Sequence, residues 1–185
     1  EMRANEVYAP NYNTGDRVAL VRHPHGGIFE IPDLVVNNNI PKAKKMIGTD
    51  SPDAIIIHPS VAKKLSGADF DGDTVLVIPN NPGRIKSSRS LKELRNFEPN
   101  EYKITDPNHP AIIDKKNMKT IQPHVKETQM GVVSNLITDM TIKGASDTEI
   151  AKAVRHSMVI IDSEKHGLDW KQSAKDNNIS ALSKR

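Results

Sequence analysis

A chain of 185 residues, 36 % hydrophobic, 4 % aromatic and 26 % charged, has room for one domain, or one compact domain with a smaller one appended. It has no cysteine, which excludes disulfide scaffolds, zinc ribbons and thiol catalysis and leaves only His or mixed His/carboxylate metal sites; its few aromatics argue against an aromatic-stacking RNA module. The net charge of +3 permits a polyanionic partner without requiring one, and no apolar run approaches the roughly 18 residues that cross a bilayer. The opening Glu1-Met2-Arg3-Ala4-Asn5 has no apolar core behind a basic start, so no leader peptide is expected, and a first residue other than Met points to a fragment or a trimmed chain.

Short β-branched runs come first. Strands are predicted over 17–22, 33–37, 54–58 and 74–78, each bounded by Gly, Pro, Asn or Asp. Two helical pieces interrupt them. One covers 41–47, with Pro41 at the first helical position and Lys42, Lys44 and Lys45 upon it; the other covers 60–65, with Ser60 as its cap and Gly67 as its stop. Short strands joined by such helices suggest a small barrel more than an alternating βα sheet.

From Asn80 to His124 the composition changes, and Pro82, Pro99, Pro107, Pro110 and Pro123 break the chain into pieces. A short helix is predicted over 90–97. Arg84, Lys86, Arg89, Lys92, Arg95, Lys115, Lys116 and Lys119 concentrate there, as a solvated connector or as a surface that meets a phosphate backbone. The last third is helical. Val125, Met130, Val133, Leu136, Ile137 and Met140 fall near one face of a helix ending at Gly144, and Ile150, Ala153, Val154, Met158 and Ile161 line a second that starts at Asp147. From Lys171 the chain is polar and expected to fray. The division is therefore 1–79, 80–124 and 125–185.

Asp69-Phe70-Asp71-Gly72-Asp73 carries the chemistry. On a regular strand, carboxylates at alternate positions step about 6.6 Å apart, too far for one Mg²⁺ that holds its ligands at about 2.1 Å. The backbone must curl, and Gly72 with Gly67 supplies the freedom. Phe70 can anchor the loop. Three close like charges repel unless a cation sits among them, so the reading is an oxygen-rich site for Mg²⁺ or Mn²⁺. An EF-hand fails, because counting from Asp69 the sixth position is Thr74 and the twelfth Asn80. The haloacid-dehalogenase phosphatases carry a similar Asp-x-Asp-Gly-Thr, but Asp73 stands where their Thr would be, and the apolar strand follows the aspartates instead of preceding them. An acidic turn between a helix and a strand is the bland alternative.

The pentapeptide resembles the metal-binding loop of multisubunit RNA polymerases and of the two-barrel RNA polymerases, which include the RNA-silencing RNA-dependent enzymes and single-chain phage or prophage relatives. The flanks extend the resemblance from Gly15 to Gly167. Ile55-Ile56-Ile57-His58-Pro59 and a short helix precede the loop, as in the large polymerase subunit. Val18-Ala19-Leu20-Val21-Arg22-His23-Pro24 is similar to a family strand ending in Arg-x-Pro. Gly131-Val132-Val133-Ser134-Asn135, His156-Ser157 and Asp162-Ser163-Glu164-Lys165-His166-Gly167 resemble three motifs of the silencing enzymes in their order. Gly67 departs from the usual Asn, one residue is added between His156-Ser157 and Asp162, His25-Gly26-Gly27 shortens the large-subunit pattern, and 38–52 looks inserted. The phage or prophage branch fits best.

The resemblance implies an α+β fold: a double-psi β-barrel in 1–79 carrying the loop, a basic connector in 80–124, and a helical region in 125–185. It implies a nucleotidyltransferase, the catalytic-metal portion of an RNA polymerase, inactive without a second barrel. Asp69, Asp71 and Asp73 would be both catalytic residues and ligands of Mg²⁺ (or Mn²⁺). Arg22 would contact substrate near the nucleotide's sugar, and Lys165 would meet phosphates or template. The implied partners are template and RNA product, nucleoside triphosphates and the remaining polymerase domains, with no membrane, in the cytoplasm of a bacterial host. Two other readings stay open: a non-catalytic nucleic-acid-binding or regulatory module that kept the loop, and the phosphatase. His58 is read as capping or packing, the His23/His25 pair as incidental, and Met130, Val133, Ile137 and Met140 as core.

Overall fold

The computed structural model describes residues 1–23, 25–48, 51–65, 68 and 72–184, which fall into two units, Glu1–Ser90 and Leu91–Arg185. Five short strands build the first: β1 (Glu6–Tyr8), β2 (Arg17–Val21), β3 (Asp33–Val36), β4 (Ile56–Ile57) and β5 (Leu76–Pro79). Their order is β4-β1-β3-β2-β5. β1 runs parallel to β3, and the other neighbours are antiparallel. Both faces of β2 are covered. Val18 and Leu20 join Val7, Leu34 and Val36 in a cluster that receives Val61 and Leu65, while Ala19 and Val21 meet Ile31, Ile78 and Ile85. Burial on both faces is why β2 reads as an unbroken apolar run instead of an alternation.

The prediction missed β1. Three residues are too few to display a period, although Val7 is wholly buried. The third strand is shorter than expected, and the fourth is shifted to Leu76–Pro79. Helix α1 (Pro41–Ile47) has the predicted bounds. Helix α2 (Pro59–Ala62) corrects the reading of Ser60 as a cap: His58 is the cap, its ring nitrogen accepting from the Ser60 N–H, and Pro59 takes the first position. Proline suits that position because it has no N–H to satisfy.

The second unit is helical: α3 (Pro123–Ile142), α4 (Asp147–His166), α5 (Trp170–Asp176) and α6 (Ile179–Leu182). Val133, Ile137 and Met140 of α3 are buried, as are Ile150, Val154, Val159 and Ile160 of α4, and the two helices pack together. A capping box between Ser146 and Glu149 starts α4, and Gly167 in the left-handed region ends it. The helix predicted over 90–97 contracts to a single 3₁₀ turn, Lys92–Leu94. Arg155 braces that turn, its guanidinium donating to the Glu93 carbonyl.

The expected fraying after Lys171 is also corrected, because α5 and α6 fold there. Small polar side chains bury once they find partners. Ser173 Oγ lies 3.1 Å from His156 Nδ1, and Asn177 Nδ2 donates to the Ser173 carbonyl at 2.9 Å. Among the described residues no helix is long and apolar enough to cross a membrane.

Candidate active site at the acidic loop

The loop is held at both ends by the first unit's core. Leu65 is buried in the main cluster, and Ala68 before the aspartates and Val75 after them pack against it. Asp69, Phe70 and Asp71, with Ser66 and Gly67, lie outside the described residues, so of the expected metal ligands the structure describes Asp73. Gly72 has φ +111°, a conformation that side chains strongly disfavour. The curl argued from carboxylate spacing therefore occurs where glycine was assigned to permit it.

Strand register brings a second expected residue to the loop. β2 and β5 pair from Val18↔Pro79 to Val21↔Leu76. Just beyond the last pair, Arg22 leaves β2 and Asp73 approaches β5. Nε of Arg22 donates to Asp73 Oδ1 at 2.8 Å, and Nη2 lies 2.7 Å from the same oxygen. The two side chains are 23 % and 17 % exposed, so water screens this contact less than it screens an open surface pair. Arg22 and Asp73 are 51 positions apart in sequence, and spacing alone gave no sign that they touch.

The donor set suits a hard dication. Carboxylate oxygens are what Mg²⁺ and Mn²⁺ prefer, and Asp73 sits on a kinked backbone with its carboxylate held from one side by a guanidinium. Among the described residues no group of three or more His, Asp or Glu side chains gathers at one point; Asp69 and Asp71 fall outside that set. Lys165 lies exposed on the last turn of α4, in the second unit.

The histidine pair comes together: the rings of His23 and His25 are 5.3 Å apart, tilted by 52°. Burial, and then the neighbouring His23, hold His25 below the usual imidazole range. Close by, the buried Glu30 accepts from the Gly26 N–H at 2.6 Å. The sequence reading also overlooked Lys64, just after α2. Burial lowers its pKa, opposed by the charge of Asp33, and its ammonium donates to Ser87 Oγ and the Ser88 carbonyl, both at 2.7 Å. Those partners lie more than twenty positions downstream, beyond any local pattern. Of the basic residues expected to face phosphate, Lys119 lies 3.6 Å from Glu164, which Lys126 also grips at 2.6 Å.

A family model described as RNA dependent RNA polymerase matches residues 58–184, more than half of the chain. The match takes in the acidic loop, β5 and nearly all of the second unit. No curated protein and no solved structure matches.

Proposed function

The chain belongs to the RNA-dependent RNA polymerase family, and from that premise we propose that it is the catalytic-metal portion of an RNA-templated RNA polymerase. The family is one of nucleotidyltransferases acting on nucleic acid and nucleoside triphosphates. In the finer reading the RNA 3′-hydroxyl attacks the α-phosphorus of an incoming nucleoside triphosphate. A bond forms from O3′ to the α-phosphorus, and pyrophosphate leaves.

Asp69, Asp71 and Asp73 would hold one Mg²⁺, or Mn²⁺, which when bound lowers the pKa of the attacking hydroxyl, while a second ion arriving with the triphosphate steadies the pyrophosphate. No side chain of this chain need act as nucleophile. The aspartates' part is to fix position and charge. Gly72 lets the backbone turn between them, and the core anchors Leu65, Ala68 and Val75 keep the turn in place. Arg22 and Lys165 are the candidates for substrate sugar and for phosphate or template. The mixed sheet, covered on both faces, is read as part of a double-psi β-barrel, and a second barrel among the remaining polymerase domains would complete the site.

The observation that carries this reading is the contact of Arg22 with Asp73. Each belongs to a separate polymerase-like motif, and β2–β5 register brings the motifs together. The test is primer extension by the full-length protein carrying Asp71→Asn, on RNA and DNA templates. We expect extension to fall by about 10³-fold or more, roughly 4 kcal/mol of lost transition-state stabilisation, with the fold retained because repulsion in the loop is relieved. Extension close to wild type would contradict the assignment, and loss confined to the RNA template would fix the template class.

A further inference from the structure

We propose that Arg22 is a positioning residue for Asp73: it claims one carboxylate oxygen so that the other, Oδ2, is the one directed to the cation. The inference rests on the metal reading above. A carboxylate oxygen offers two lone-pair sites. Arg22 directs both Nε and Nη2 at Oδ1, at 2.8 and 2.7 Å, and so spends both. A carboxylate on a single rotatable bond would otherwise spin and offer either oxygen, or both, to an ion. With Oδ1 taken, Asp73 is a one-oxygen ligand of fixed direction.

The clamp is itself rigid. Arg22 follows directly on Val21, which is 7 % exposed and paired with Leu76. Asp73 is separated from that same pair only by Thr74 and Val75, and Val75 packs on the core. The sheet therefore supplies the reference frame, and the guanidinium carries it to the carboxylate. A lysine would deliver equal charge without the planar fork that sets direction. The guanidinium's charge is compensated by the carboxylate it grips, so its removal chiefly removes orientation. Groups that orient metal ligands typically govern 10- to 100-fold of metal affinity.

The test is Mn²⁺ titration of the full-length protein, followed by the paramagnetic resonance of free Mn²⁺, with Arg22→Gln, Arg22→Lys, Asp73→Asn and the double variant Arg22→Gln/Asp73→Asn. We expect Arg22→Gln to weaken Mn²⁺ binding about 10- to 100-fold and Arg22→Lys to recover part of it. Because Arg22 acts through Asp73, the double variant should bind no more weakly than Asp73→Asn alone. Wild-type or tighter binding by Arg22→Gln overturns the proposal, as does additivity in the double variant. A raised KM for the nucleoside triphosphate at unchanged Mn²⁺ affinity overturns it too, and makes Arg22 a substrate contact only. If the wild-type protein binds no Mn²⁺, the metal reading fails and this inference falls with it. Should Arg22→Gln lose its circular-dichroism signature of folding, Arg22→Lys and Asp73→Asn decide the question.

Discussion

The two units bury polar groups in different ways. In the first, buried side chains close short loops: Glu30 accepts from the Gly26 N–H four positions back, and Asn80 exchanges two hydrogen bonds with Ile85 five positions on. In the second they join distant segments. Thr120 Oγ1 donates to the Leu168 carbonyl 48 positions away, and His156 meets Ser173 17 positions away. The physical reason is the backbone. Strands bond to one another through their own N–H and C=O groups, so the first unit gains long-range order from its ladder. Helices satisfy their backbones internally, so side chains must supply the cross-links. A sheet ordered in this way can keep Arg22 and Asp73 at its rim, where ions and substrates reach them. The helical unit spends its polar groups inside.

The hardest break in that scheme is at Gly167. It sits at φ +65°, its carbonyl accepts from Ile104 N–H, and a Cβ there would stand 2.6 Å from the Met118 carbonyl oxygen. Gly167→Ala therefore combines a left-handed backbone penalty with a collision against backbone that cannot swing aside. We expect a loss of roughly 2–4 kcal/mol in urea unfolding. Hydrogen exchange should locate it: α4 and α5 amides lose protection while β2 and β5 amides keep theirs. A loss below about 1 kcal/mol would mean the cross-linked node is dispensable.

His156 tests the same cross-links by pH. Burial pushes its pKa down from the usual 6.5 to about 4, so the folded state holds a neutral ring. The unfolded chain takes up a proton first, near 6.5, and protonation favours unfolding. Stability is highest above pH 6.5, declines as pH falls through the interval, and levels off below about 4. The full shift corresponds to about 3 kcal/mol. Denaturant melts between pH 7.5 and 4 should show this slope in wild type and a flatter profile in His156→Gln. An equal slope in both would place the titrating group elsewhere.

What was legible in the sequence follows the same contrast. The apolar run of β2, the proline-led start of α1 and the periodic faces of α3 and α4 are written in side-chain hydrophobicity, and each was found. The chemistry of the loop was legible because five consecutive residues carry it. The rest depends on long-range pairing. β1 is a strand only because Glu6 and Val7 lie against Val35 and Val36. Arg22 meets Asp73 only because β2 and β5 pair in one register. The terminal helices looked like a polar tail because Ser173 and Asn177 bury through hydrogen bonds, which composition does not reveal. His58 is an intermediate case: its capping role was anticipated, while the competing choice of Ser60 was not excluded by local propensity.

The smallest expected effect has the opposite sign and falls on the outer side of α3. Gly131 lies inside that twenty-residue helix, exposed, and a Cβ built there meets nothing within 4 Å. The helix is held from its other side, through Val133, Ile137 and Met140, so no cross-link of the kind seen around Thr120 and His156 depends on position 131. Gly131→Ala should then act through backbone entropy alone and raise stability by roughly 0.5–1 kcal/mol. Urea unfolding should show a higher midpoint with an unchanged slope, since no additional surface is buried. A neutral or destabilising outcome would show that this face of α3 is constrained by a close contact that packing within the helical unit does not supply. The contrast between a ladder-ordered sheet and a side-chain-ordered helical unit would then have to include it.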